Sequence, residues 1–157
     1  MSVSTKIDYD TDFVGWTAQT ADLLRERRFS DLDLEHLAEE IQDLGKRDAR
    51  AVRSQLRRML MHLIKLRIQP ERASKSWRNS ISDPRVRIID DLRDSPSLRH
   101  YLLVNLEEIY SQAVQQALEQ TDLEARAAEL GIPATCPFTL DELLTDRLDN
   151  LWPRQNG

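Results

Sequence analysis

A chain of 157 residues matches the roughly 150 expected of one domain. With 4 Gly and 6 Pro, and with 23 Leu against 9 Ile and 6 Val, the composition excludes turn-rich sandwiches, barrels and collagen-like chains. The formal charge of −5 argues against a polyanion partner for the molecule as a whole, yet it conceals a segregation: residues 46–93 carry 14 Lys/Arg against 5 Asp/Glu, while residues 1–45 and 94–157 each sum to −7.

Apolar periodicity predicts a first helix over about 12–28, where Phe13, Trp16, Thr20, Leu23 and Leu24 recur at three-to-four spacing and Asp10 or Thr11 is available as N-cap. The segment FSDLD then turns the chain into a second helix that opens at Asp33. Carried at about 100° per residue, Leu34, Leu37, Ile41, Leu44, Val52, Leu56, Met59, Leu63 and Leu66 fall on one apolar stripe, which predicts a single helix closed by Pro70. Two features oppose an unbroken helix: Gly45 costs a helix interior about 1 kcal/mol relative to Ala, and Asp48 sits on the stripe. A break near LGKRD therefore stays open. A third helix is predicted from Ser74 or Lys75, with Trp77 and Ile81 inward and Asp83-Pro84 either restarting or kinking it. Ser95-Pro96 opens a fourth, marked by Leu98, Tyr101, Leu102, Leu106, Ile109, Tyr110, Ala113, Ala117 and Leu118. A short helix at 122–130 ends at Gly131, Pro133 and Pro137 punctuate a loop, and T-L-D-E at 139–142 spells a capping box for a last short helix. Leu151-Trp152-Pro153 is expected to pack onto the bundle.

Short connectors between long helices force antiparallel neighbours. The expected fold class is all-α: an up-down helical bundle of about four main helices, with a long second helix and a short helical C-terminal cap. It forms a single domain over 8–153, between flexible termini at 1–7 and 154–157. An unbroken helix over 33–68 would run about 54 Å, beyond the ~40 Å diameter of a compact chain of this size. The excess predicts self-association as a dimer along the long helix.

One cysteine, Cys136, forms no intramolecular disulfide, and the opening MSVSTKIDYDTDF lacks the basic and apolar regions of a secretion signal, so a cytoplasmic location is expected. No apolar run approaches the roughly 18 residues a membrane span needs. Glycines at 15, 45, 131 and 157 leave neither G-x-x-x-x-G-K nor G-x-G-x-x-G, and H-E-x-x-H and Glu-x-x-His are both absent. His36, Glu39 and Asp43 lie off the apolar stripe and read as an acidic face toward solvent. Neither a metal nor a cofactor is expected.

The stretch 61–78 holds the most suggestive chemistry. His62 and Gln69, seven residues apart, share a helix face with Lys65 one turn from each, and beyond Pro70 the chain can bring Arg72, Lys75 and Trp77 back beside them. An imidazole, several cations and an aromatic platform are the parts of an anion or phosphate site. The plainer reading makes His62 a hydrogen-bonded flank of a core helix and Trp77 a core anchor. Lys46, Arg50, Arg53 and Arg57 form a cationic stripe, and Arg outnumbers Lys 18 to 4, which suits phosphate and a weak nucleic-acid contact through 46–93. It suits carboxylate equally. The acidic segments on either side can neutralise the stripe inside an antiparallel bundle, and no helix-turn-helix or base-stacking pattern accompanies the charge, which disfavours nucleic acid.

Five segments in this order, Y-D-x-D-F-x-x-W-T at 9–17, LDLEHLAEEIQDLG at 32–45, MHLIKLRIQPERASKSWRNSI at 61–81, DSPSLRHYL at 94–102 and CPFTLDELL at 136–144, resemble the bacterial domain of unknown function family 29. The resemblance covers residues 8 to 153 and implies an all-α fold, with no reaction, substrate or cofactor attached to it. His62, Lys65, Gln69, Pro70 and Trp77 fall on the stretch that carries the resemblance best. The expected function is a cytoplasmic helical protein-interaction or regulatory module without catalytic residues. A small-anion or phosphate-handling enzyme centred on His62 and Lys65 is the alternative.

Overall fold

The computed structural model describes residues 5–147 and Leu151. The expectations for residues 1–4 and 154–157 and for Trp152-Pro153 fall outside them. Five α-helices follow in order, α1 Phe13–Arg25, α2 Leu34–Ile68, α3 Lys75–Asp94, α4 Leu98–Thr121 and the short α5 Leu140–Thr145, and among the described residues there is no strand. The fold is all-α, with four main helices and a long second one, as the periodicity predicts. Contacts sort the chain into two compact units, Met1–Arg47 and Asp48–Gly157.

In the first unit α1 starts one or two residues later than the predicted caps. The Asp12 carboxylate accepts from the Gly15 N–H at 2.9 Å, and a Cβ on Gly15 would stand 2.4 Å from that carboxylate, so the cap closes down onto a residue with no side chain. The helix stops at Arg25 rather than Arg28, because Arg27 takes a left-handed φ of 57°. From there the Arg27 N–H bonds the Leu24 carbonyl at 3.1 Å and the Arg28 N–H the Leu23 carbonyl at 2.9 Å, a Schellman ending built without glycine. Trp16 and Thr20 are buried, whereas Phe13 and Leu24, expected inward, are exposed. Upstream, Gln19 holds the entering strand of chain. It accepts from the Ile7 N–H at 2.9 Å and donates to the Thr5 carbonyl at 3.1 Å.

Asp33 opens α2: its carboxylate accepts from the His36 N–H at 3.3 Å, and its carbonyl from the Leu37 N–H at 3.0 Å. The helix passes Gly45 and Asp48 without a break. Gly45 meets no atom within 4 Å where a Cβ would stand, so its helical cost is not offset by close packing there.

In the second unit Val52, Leu56, Met59, Leu60, Leu63 and Ile64 of α2 form one core cluster with Ile81 and Ile88 of α3, Leu102, Ile109, Tyr110 and Ala113 of α4, and Leu140, Leu143 and Leu151. α3 is a single helix through a buried Pro84, and α4 ends at Asp122 in a left-handed conformation, φ 56°. The predicted helix at 122–130 is a 3-10 turn over Glu124–Glu129, followed by Gly131 at φ 65°. The loop beyond it is fixed by the Tyr110 hydroxyl, which donates to the Pro133 carbonyl at 2.6 Å, and by Glu107, which accepts from the Cys136 N–H at 3.0 Å. Thr139 and Glu142 form the predicted capping box at the head of α5, with bonds of 3.1 and 3.0 Å.

Candidate functional site

Of the six residues singled out in the stretch 61–78, the structure gathers three. His62 is half-buried on α2, and Lys65, one turn on, holds its Nζ 6.0 Å from the centre of the Trp77 ring, at the outer limit of a cation–π contact. Burial, then the charges of Lys65 and Arg58, push the His62 imidazole down to about 4. It is neutral at pH 7 and offers an anion no charge. Its Nδ1 is buried and has no hydrogen-bond partner among the described residues. Gln69 is half-buried, Arg72 and Lys75 are exposed, and no described hydrogen bond or ion pair joins them to the other three.

The cationic stripe behaves unevenly. Arg53 has the expected acidic neighbour, Glu108 at 3.2 Å, and also donates to Gln112 at 3.2 Å. Arg57 lines an open groove of about 340 Å³ with Gln112, Gln115, Gln116 and Glu119. Lys46 and Arg50 are exposed and have no acidic partner among the described residues, so internal neutralisation of the stripe is partial. No three His, Cys, Asp or Glu side chains converge in a metal-holding group among the described residues. No described helix is long and apolar enough to cross a membrane.

A second cluster, absent from the sequence-based site candidates, lies in the first unit. The Tyr9 ring stacks on His36, 4.0 Å between centroids and 15° between planes, and meets Trp16 and Phe13 edge-on at 4.9 and 5.6 Å. Its hydroxyl donates to Glu40, and His36 Nδ1 lies 2.5 Å from the Asp33 carboxylate. His36 is therefore half-buried beneath Tyr9 rather than facing solvent, because the segment ahead of α1 covers it. The hydrogen bond to Asp33 raises the His36 pKa, and the same bond lowers that of Asp33. The signal available in the sequence was the run Tyr9, Phe13, Trp16 at helical spacing, whose first member precedes the helix.

The face beside this cluster is the larger departure. Leu34, Ile41 and Leu44, placed on the core stripe by periodicity, are 65%, 61% and 57% exposed. Every buried member of the core cluster lies at residue 52 or beyond, and Trp16 is the one large apolar side chain buried among the described residues of Met1–Arg47. The stripe is real in α2; its second half is covered, and in its first half Leu37 alone is partly so.

None of the curated proteins matches this chain. A solved structure does: an alpha-helical protein of unknown function from Rhodospirillum rubrum, 26% identical, covering 92% of this chain and 95% of that one with a TM-score of 0.61. The family described as "Domain of unknown function DUF29" matches residues 9–148, and the chain belongs to that family.

Proposed function

We propose that the protein is a cytoplasmic helical interaction module that works by docking a protein on the apolar face of its first unit. The single observation that carries this is the exposed row Leu34, Ile41 and Leu44 on a unit in which Trp16 is the one large apolar side chain buried among the described residues. A segment of under 50 residues buries too small a share of its surface to be well stabilised alone, and apolar rows of this kind mark interaction sites. The first half of α2 presents side chains at the three-to-four spacing by which one helix seats on another. No chemical step is assigned, since the one histidine in the basic stretch is neutral and Lys65 lies over Trp77.

A photo-crosslinking amino acid in place of Ile41, in the full chain expressed in its native host, tests the reading. Protein adducts from position 41, with none from position 115 on the exposed side of α4, are the expected result. Absence of any protein adduct from position 41 in cells where the chain is folded and abundant contradicts it.

A further inference from the structure

We infer that the open groove lined by α2 and α4 binds a small zwitterion of about dipeptide size, its carboxylate on Arg57 and its ammonium on Glu119. The groove of about 340 Å³ is lined by Arg57, Gln112, Gln115, Gln116 and Glu119, a volume at the small end of ligand clefts. No apolar side chain lines it, so an occupant is recognised by charge and hydrogen bonds. Arg57 is partly buried and has no hydrogen bond or ion pair among the described residues. Its neighbour one turn back, Arg53, is neutralised by Glu108 at 3.2 Å. Glu119 accepts from the Gln115 side-chain amide at 3.0 Å and has no cationic partner among the described residues. One guanidinium and one carboxylate therefore line the same groove without pairing to each other.

The three glutamines supply the rest of the recognition. Gln112 Oε1 accepts from Arg53 at 3.2 Å, which leaves its NH2 group to donate, and Gln115 donates to Glu119, which leaves its Oε1 to accept. Gln116 has neither end engaged among the described residues. Free amide donors beside free amide acceptors match a peptide group, which offers one C=O and one N–H. A guanidinium takes a carboxylate through two parallel N–H donors, and a carboxylate takes an ammonium through charge-assisted hydrogen bonds. A simple anion would lie against Glu119, and a simple cation against Arg57. A nucleic-acid strand, with a phosphate at every residue, would also meet Glu119 and would find no aromatic ring in the groove on which to stack. A molecule with both charges and an amide between them answers every group that lines the groove. This site is independent of the docking reading, whose face lies in the first unit.

Alanyl-alanine titrated into the full-length protein, followed by NMR of the side-chain NH2 groups, tests the site. The signals of Gln112, Gln115 and Gln116 should move and saturate while that of Gln19 stays in place. N-acetyl-alanyl-alanine, which keeps the carboxylate alone, and alanyl-alanine amide, which keeps the ammonium alone, should each bind about tenfold or more weakly. In Arg57→Gln the free dipeptide should lose its advantage over the amide, and in Glu119→Gln its advantage over the acetylated form. Comparing ligands within one variant keeps the reading separate from any change in that variant's stability. No saturable shift of the three glutamine signals at up to about 10 mM dipeptide overturns the site. Equal binding of the acetylated form makes it a plain anion site and overturns the zwitterion. Stronger displacement of the same signals by a short single-stranded oligonucleotide than by the dipeptide overturns it in favour of nucleic acid.

Discussion

The ring of Tyr9 lies flat on the ring of His36, 4.0 Å away, and binds a segment outside the helices to the first turn of α2. His36 is protonated more readily than a free imidazole, first because of its hydrogen bond to Asp33 and then through the charges of Asp33, Glu39 and Asp10. A raised pKa in the folded state means that this pairing contributes in full below about pH 6.5 and is lost as pH rises through the folded value. Asp33, whose pKa is lowered, loses its share at the other end, as pH falls below the ordinary carboxylate range. Titrating the His36 ring protons by NMR should give a midpoint above 6.5, and Asp33→Asn should bring it down. Protection factors of the backbone amides over residues 7–20, which leave out the intrinsic rise of exchange with pH, should fall as pH rises through that midpoint. A midpoint at or below that of a free histidine removes the coupling.

Tyr9 makes two separable contributions. Its ring packs on three aromatic partners, while its hydroxyl bonds Glu40, an interaction that pushes the phenol up to about 12 and keeps it a donor across the physiological range. Tyr9→Phe retains the stack and should cost the first unit about 0.5–1 kcal/mol, the net worth of one hydrogen bond. Tyr9→Ala removes both and should cost about 2 kcal/mol. Hydrogen exchange at α1 amides resolves the two, with little change expected at α4. Equal effects from both variants would place the whole contribution in the hydroxyl.

His62 produces the opposite pH response from His36. Its folded pKa is pushed down to about 4, so the unfolded chain takes up a proton first, and stability falls between about pH 6.5 and pH 4. The side chain is only partly buried, which reduces the loss to the order of 1–2 kcal/mol. Denaturant unfolding at pH 7 and pH 4.5 should show that loss in the unaltered protein, with His62→Gln losing less between the two values. If His62 instead titrates near 6.5, a neutral histidine no longer argues against an anion site beside Lys65.

What the sequence disclosed and what it withheld divide at about residue 48. Beyond it Val52, Leu56, Met59 and Leu63 continue the stripe into a core, α4 opens at Leu98 just past the Ser95-Pro96 signal with Ser97 as its N-cap, and Thr139–Glu142 cap α5 as predicted. Before it the same periodicity put Leu34, Ile41 and Leu44 in a core that the described residues do not supply. A hydrophobic period reports that a face needs covering, and it carries no record of which element, or which molecule, covers it. The stack of Tyr9 on His36 was equally silent, since one partner lies in irregular chain and pairs with a residue 27 positions away. In the stretch 61–78, spacing set His62, Lys65 and Gln69 on one face and the turn at Pro70 allowed Trp77 to return beside it, but neither gave a measure of burial, and burial is what neutralises His62.

Arg27 offers a test of the first unit that leaves every proposed contact surface untouched. Its φ of 57° is one that a residue with a Cβ adopts at a cost of about 1 kcal/mol or more, and the Schellman bonds to Leu23 and Leu24 require it. The side chain is exposed and has no hydrogen bond or ion pair among the described residues, so little opposes its removal. Arg27→Gly should therefore stabilise the end of α1 by about 0.5–1 kcal/mol, and Arg27→Ala, which keeps the Cβ, should not. Exchange protection at the Arg27 and Arg28 amides reads the effect locally. Should the glycine variant be no more protected than the alanine variant, the left-handed turn is not where α1 ends in solution.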